Sequence, residues 1–104
     1  IRKTTTELNI SLLDTSGAAL KNIILTETDD IKTVLSGISS AEAPAYSCGH
    51  NYELQCKTID GNFFVIELNS DEVCASATFI YEDQLNYRYL NDEGVTYLNK
   101  LFEI

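Results

Sequence analysis

The chain has 104 residues, 44% of them apolar, and sixteen acidic side chains against seven basic ones leave a net charge of −9. That length supports one core and one domain, residues 1–104, and no apolar run approaches the roughly 20 residues that a membrane-spanning helix needs. The charge repels phosphate backbones and the basic residues Arg2, Lys3, Lys21, Lys32, Lys57, Arg88 and Lys100 are scattered, so nucleic acid is not expected as a partner; the leading reading of the acidity is solubility, and the sharper one is steering toward a basic protein.

Leu8, Ile10 and Leu12 alternate with Glu7, Asn9 and Ser11, the period of a strand with one buried face. Asp14-Thr15-Ser16-Gly17 turns the chain into a second strand at about Lys21 to Thr26, which completes a hairpin. Thr28 reads as a helix cap, with Asp29 and Asp30 in the first turn where the macrodipole favours negative charge. Ile31, Val34, Leu35 and Ile38 fall at helical spacing and make one apolar stripe. Gly37 lies near the end of this helix, and Ser39 to Pro44 is expected to be a loop.

The stretch from Tyr46 to Ile80 holds all three cysteines and the only histidine. Within it, Tyr52 to Thr58 and Asn62 to Leu68 read as strands joined by Ile59-Asp60-Gly61, because Gly61 takes positive φ freely and Asp60 bonds the local backbone. A three-residue loop pairs Thr58 with Asn62, hence Cys56 with Phe64, Leu54 with Ile66 and Tyr52 with Leu68. A two-residue loop would instead set Phe64, Ile66 and Leu68 against Glu53, Gln55 and Lys57, placing core side chains on the wet side. In the first register Cys56 is a core thiol. Extending that ladder brings Cys48 level with Glu72, two residues from Cys74, so a Cys48–Cys74 disulfide is expected with Cys56 free. It closes about 27 residues and is worth roughly 3–4 kcal/mol on the chain-entropy model.

Asn69-Ser70-Asp71-Glu72 is a turn by composition. Val73 to Tyr81 then reads as a strand with Val73, Ala75, Ala77 and Phe79 on one face and Cys74, Ser76, Thr78 and Ile80 on the other. Glu82-Asp83-Gln84 turns the chain again and Tyr87-Arg88-Tyr89 makes a last short strand. Asn91 caps a final helix, Asp92 and Glu93 fill its first turn, Leu90 is placed to staple onto Val95, and Val95, Leu98, Leu101 and Phe102 form its apolar stripe. The fold class is α+β: a predominantly antiparallel sheet, a meander with hairpins, packed with two helices.

The series runs from a strand pair through a Thr-Asp-Asp helix start, a cysteine, a hairpin turning on Asp-Gly and a second cysteine to Tyr-x-Tyr-Leu-Asn opening a terminal helix. Over about Ile23 to Phe102 it resembles small uncharacterised extracytoplasmic or lipoprotein-borne domains of Gram-positive bacteria. The resemblance implies an exported location and no particular activity, and it transfers no functional residue. The chain opens on Ile1 rather than methionine, so the lack of an apolar leader in its first residues does not count against export.

Cys48, His50, Cys56 and Cys74 have the ligand inventory of a Cys3His zinc site. Structural zinc sites pair ligands two to four residues apart, whereas only Gly49 separates Cys48 from His50, and the preferred register turns Cys56 into the apolar layer. No metal or other cofactor is therefore expected. Cys48 and His50 could serve as nucleophile and base, but nothing marks a third, orienting group. The carboxylate pairs Asp29-Asp30, Asp71-Glu72, Glu82-Asp83 and Asp92-Glu93 fall in helix starts and turns, where structural roles account for them.

Tyrosine offers apolar area with a polar tip and is enriched at interfaces. Of Tyr46, Tyr52, Tyr81, Tyr87, Tyr89 and Tyr97, the segment carrying Tyr81, Glu82, Asp83, Tyr87 and Tyr89 is the expected binding surface, aromatics flanked by acid. The expected function is a non-catalytic, acidic protein-binding module, exported, with no catalytic residues. One rival is a cytosolic inhibitor or immunity protein that covers the basic active site of a nuclease-like toxin, with its thiols reduced. Another is a small cysteine or zinc enzyme centred on Cys48 and His50.

Overall fold

The expected register of the central hairpin is the one observed. In the computed structural model, which describes residues 5–45 and 48–103, Tyr52 pairs with Leu68, Leu54 with Ile66 and Cys56 with Phe64. The Thr58 amide donates to the Asn62 carbonyl at 2.9 Å, closing the three-residue loop, and Gly61 lies in the left-handed region at φ 86°. Tyr46 lies outside the described residues.

Around this hairpin the chain builds β1 (Thr5–Leu13), β2 (Ala19–Leu25), α1 (Thr28–Leu35), β3 (Ile38–Glu42), β4 (Tyr52–Thr58), β5 (Phe63–Asn69), β6 (Ser76–Tyr81), β7 (Gln84–Leu90) and α2 (Asp92–Leu101). Among the described residues, seven strands form one sheet in the order β2-β1-β4-β5-β6-β7-β3, with every neighbouring pair antiparallel. Thus α1 carries the chain from one edge of the sheet to the other. The fold is the expected α+β arrangement of an antiparallel sheet with two helices.

One face of the sheet supplies Leu8, Ile10, Tyr52, Leu54, Cys56, Ile66, Leu68 and Ala77 to the core, the helices supply Ile31, Val34, Leu35 and Leu98, and the C-cap of α2 supplies Phe102. The buried residues of α1 follow the i, i+3, i+4 spacing of a single apolar stripe. Phe102, just past α2, packs its ring on buried Tyr52 at 5.2 Å between centroids.

Four local expectations are corrected. Ser39 to Pro44 is not all loop, because β3 runs Ile38–Glu42 as an edge strand on β7, pairing Ile38 with Leu90 and Glu42 with Arg88. Ile38 therefore leaves the helical stripe and starts that strand. Glu27 rather than Thr28 holds the N-cap position of α1, with no side-chain cap bond, and its carbonyl accepts the Ile31 amide at 3.0 Å. Residues 71–74 are a turn, closed by the Cys74 amide on the Asp71 carbonyl at 3.0 Å, so β6 begins only at Ser76 and Val73 is exposed.

The two helices meet end to end through glycine. A Cβ on Gly37 would lie 2.7 Å from the Gly94 Cα, and one on Gly94 would lie 2.8 Å from the Gly37 Cα. Asn91 fastens this joint. Its Oδ1 accepts the Gly94 amide at 2.8 Å, capping α2, while its own amide donates to the Gly37 carbonyl at 2.9 Å and its Nδ2 to the Ser36 carbonyl at 3.3 Å. The carbonyl end of α1 thus faces the amide end of α2, an arrangement the macrodipoles favour. Gly94→Ala forces two backbones apart and is expected to cost about 1–3 kcal/mol in urea unfolding. A loss within about 0.5 kcal/mol would show that the joint yields freely.

Candidate functional site

The cysteines divide as expected. Cys48, exposed, and Cys74, buried, form a disulfide with a Cα–Cα distance of 6.4 Å, and Cys56 is a free, buried thiol. The bridge reaches the turn at 71–74 rather than a continuous strand, because the β4–β5 ladder has ended by Asn69. Amide side chains hold its two arms together. Asn69 Nδ2 donates to the Gly49 carbonyl at 3.0 Å while its Oδ1 accepts the Asp71 amide at 2.8 Å. Asn51 and Ser70 exchange two further bonds, Nδ2 to Oγ at 2.8 Å and the Ser70 amide to Oδ1 at 2.9 Å.

Next to the bridge, His50 Nδ1 lies 2.8 Å from Glu67 Oε2. Glu67 was not foreseen as a partner for His50, since 17 positions separate them and only the β4–β5 pairing, Glu53 to Glu67, brings this end of β5 alongside. A base held by a carboxylate supplies two of the three members of a nucleophilic triad, but the Cys48 sulfur is bonded to Cys74 and is not a thiolate beside it. The four possible zinc ligands are likewise not gathered at one point. Among the described residues no group of three or more histidine, cysteine or carboxylate side chains is placed to hold a metal ion.

A concavity of about 690 Å3 lies between the bridge and the β1–β2 turn, lined by Asp14, Ser16, Cys48, His50, Asn69 and Asp71 among others. Its carboxylates already have work within the chain. Asp14 Oδ1 accepts from Ser16 Oγ at 2.7 Å, the Ser16 amide at 2.9 Å and the Ala18 amide at 3.0 Å, and the serine hydroxyl leads in holding its pKa below the ordinary value. Asp71 Oδ1 accepts the Val73 amide at 2.9 Å. These are turn-closing carboxylates, as the sequence implied.

The other surface of interest is the face of the sheet away from the helices. Side chains alternate along a strand, so burying Phe64 and Ile66 turns Phe63 and Val65 outward. The same alternation sends Ile80 of β6 and Leu85 of β7 outward, and these two are cross-strand partners. Phe63 is 65% exposed, Val65 44%, Ile80 62% and Leu85 56%, and they line one shallow depression with Glu67 and Thr78. Tyr87, half-buried opposite Thr78, and exposed Tyr89, opposite Ser76, extend the patch down β7.

Acid borders it. Asp60 lies in the β4–β5 turn and Glu82 and Asp83 form the two-residue turn between β6 and β7, at the same end of the sheet. Glu82 and Asp83 both adopt left-handed backbone, φ 50° and 62°, the requirement of a type I′ hairpin turn that asparagine or glycine meets at less cost. Asp60 is held ionised by the Thr58 hydroxyl first and the Asn62 amide second.

Of the five expected binding residues, Tyr87 and Tyr89 share the open face and Glu82 and Asp83 stand at its rim. Tyr81 alternates with Ile80 at the end of β6 and falls on the helix side, although its end position leaves it 51% exposed. Phe63, Val65, Ile80 and Leu85 were missed. Their signal was present in Phe63-Phe64-Val65-Ile66, a strand apolar on both faces in a fold with helices enough for one.

Comparison with protein-family models, with curated proteins and with solved structures finds no match for this chain.

Thiol titration is expected to find one reactive thiol per chain in denaturant and none in the native protein; three in denaturant would contradict the bridge. Burial pushes the Cys56 thiol from its ordinary 9.0 up to about 11. The unfolded chain therefore loses this proton near pH 9 while the folded chain keeps it to about pH 11, so stability is full below pH 9 and falls across that window. Two pH units correspond to about 3 kcal/mol, and Cys56→Ala should remove that part of the alkaline loss in urea titrations at successive pH values.

Proposed function

We propose that this chain is a non-catalytic protein-binding module, exported, whose open sheet face takes a basic protein partner. The observation that carries the reading is the contiguous apolar surface of Phe63, Val65, Ile80 and Leu85, flanked by tyrosines and rimmed by Asp60, Glu82, Asp83 and Glu67. Single exposed apolar residues are ordinary, but a cluster on a flat sheet loses free energy to water until something covers it. Aromatic and aliphatic side chains at the centre with charge at the margin is how stable protein interfaces are composed.

Charge selects the partner. At a net −9, with acid at the rim of the patch, a basic surface approaches down a favourable field and an acidic one is repelled. A second copy of this chain would bring like charge against like charge.

The disulfide favours an oxidising, extracytoplasmic compartment, since glutathione and thioredoxin keep cytosolic thiols reduced. An acidic inhibitor of a basic toxin remains a compatible identity for such a module. The same bond weighs against its cytosolic form.

A random peptide library displayed on phage provides a probe that presupposes no partner. Selection on the native chain should enrich peptides that combine lysine or arginine with apolar residues, and raising salt from about 0.05 to 0.5 M should weaken them. The double variant Phe63→Thr and Ile80→Thr keeps exposed strand positions β-compatible while removing apolar area, and it should bind the enriched peptides at least about tenfold more weakly. Equal enrichment on the variant, or enrichment of acidic peptides, would overturn the reading.

A further inference from the structure

On the opposite side of the sheet, the helices leave part of the inner face uncovered. α1 packs on α2 and on β1, and the chain leaving its C-terminal end starts β3 on β7. There a cleft of about 190 Å3 opens between Leu35 at the end of α1, Ile38, Ser39 and Ser40 of β3, and the sheet residues Phe64, Ile66, Phe79 and Arg88.

Arg88 is the anomaly. Its neighbours Tyr87 and Tyr89 face outward, so alternation turns it inward, where a two-layer fold ordinarily keeps apolar side chains. Half-buried, it lies 5.9 Å from the centroid of the Phe79 ring. Nη1 donates to the Tyr87 carbonyl at 3.1 Å and Nη2 to Asn86 Oδ1 at 3.2 Å, both neutral acceptors. Among the described residues no carboxylate forms an ion pair with it, in a chain with sixteen of them. Glu42 is its cross-strand partner on β3, yet is exposed and not paired with it. A guanidinium has five N–H donors in a flat fork that matches a carboxylate, and partial burial strengthens that match.

We propose that this cleft binds a small organic anion, a carboxylate carried on a compact apolar body. Arg88 takes the carboxylate, and Phe64, Ile66, Phe79 and Leu35 enclose the body. Size sets the class of body. A cavity of about 150 Å3 holds benzene, whereas drug-sized ligands need about 300 Å3 or more, so the body is a single ring or a short alkyl chain. The net negative charge of the protein does not bar the ligand, because at physiological salt fields fade beyond about 8 Å and the guanidinium acts at contact. This site is on the other face from the proposed protein interface and stands or falls independently of it.

The test is a titration of the full chain, followed by NMR, with phenylacetate and with hexanoate, each against its uncharged amide. For a ligand this small a Kd of about 0.1–10 mM is expected, with saturable shifts at the Ile38 and Ile66 methyls, the Phe79 ring and the Arg88 Nε–H. The amides should bind at least about tenfold more weakly, Arg88→Gln should weaken the acids by a similar factor, and Arg88→Lys should restore part of that loss. The Phe63→Thr and Ile80→Thr double variant should bind the acids as the native chain does. Equal binding of acid and amide, saturation at residues outside the cleft, or no saturation up to about 50 mM would overturn the proposal. The acid-to-amide comparison uses the unsubstituted chain, so it decides the matter even where Arg88→Gln fails to fold.

Discussion

The pairing of β4 with β5 is the constraint from which most of this molecule follows. Setting Cys56 against Phe64 commits Leu54, Ile66, Tyr52 and Leu68 to the helix side and, in the same stroke, commits Phe63 and Val65 to the solvent side. A slip of one residue would exchange the two sets, bury Glu53 and Gln55, and expose Leu54 and Cys56. The cost of drowning those buried side chains, at about 25 cal/mol per Å2 of apolar surface, is what holds the register. The outward apolar residues are its consequence.

The ends of that ladder place the covalent link. Once Asn51 donates its amide to the Leu68 carbonyl at 2.9 Å, the segment at Cys48 is delivered beside the turn that carries Cys74. Asn69, Asn51 and Ser70 then satisfy the backbone of both arms, so irregular chain is fixed here without secondary structure. The bridge and the hairpin turn lie at opposite ends of β4 and β5. One end is polar, cross-linked and occupied by turn-closing carboxylates; the other carries the acidic turns and the uncovered apolar residues.

Both faces of the sheet are partly uncovered. Among the described residues both helices pack on the inner face, which leaves Phe63, Val65, Ile80 and Leu85 of the outer face exposed. The inner face is open at the cleft among Leu35, Ile38, Phe64, Phe79 and Arg88, while the glycine joint fixes α1 and α2 to one another around Asn91. The Arg88 guanidinium borders that gap, 5.9 Å from the centroid of the Phe79 ring.

Local chemistry determined a good deal of this without coordinates. Asp60-Gly61 set the loop and so the register, the alternation in β1 and β4 set their buried faces, Asn91 set the start of α2, and the fate of each cysteine followed from the register. These features depend on neighbours a few residues away or directly across one hairpin, which is the range over which sequence pattern carries information. The identity of β3 was not legible, because Ser39-Ser40-Ala41-Glu42 has no strand signature and becomes one only through β7 alongside. Nor could the sequence reveal that Tyr81 and Tyr87 would part to opposite faces, or that Arg88 would turn inward without a carboxylate. Those outcomes depend on how β6, β7 and β3 pair and on what packs beside them, which is decided by contacts between residues remote in sequence.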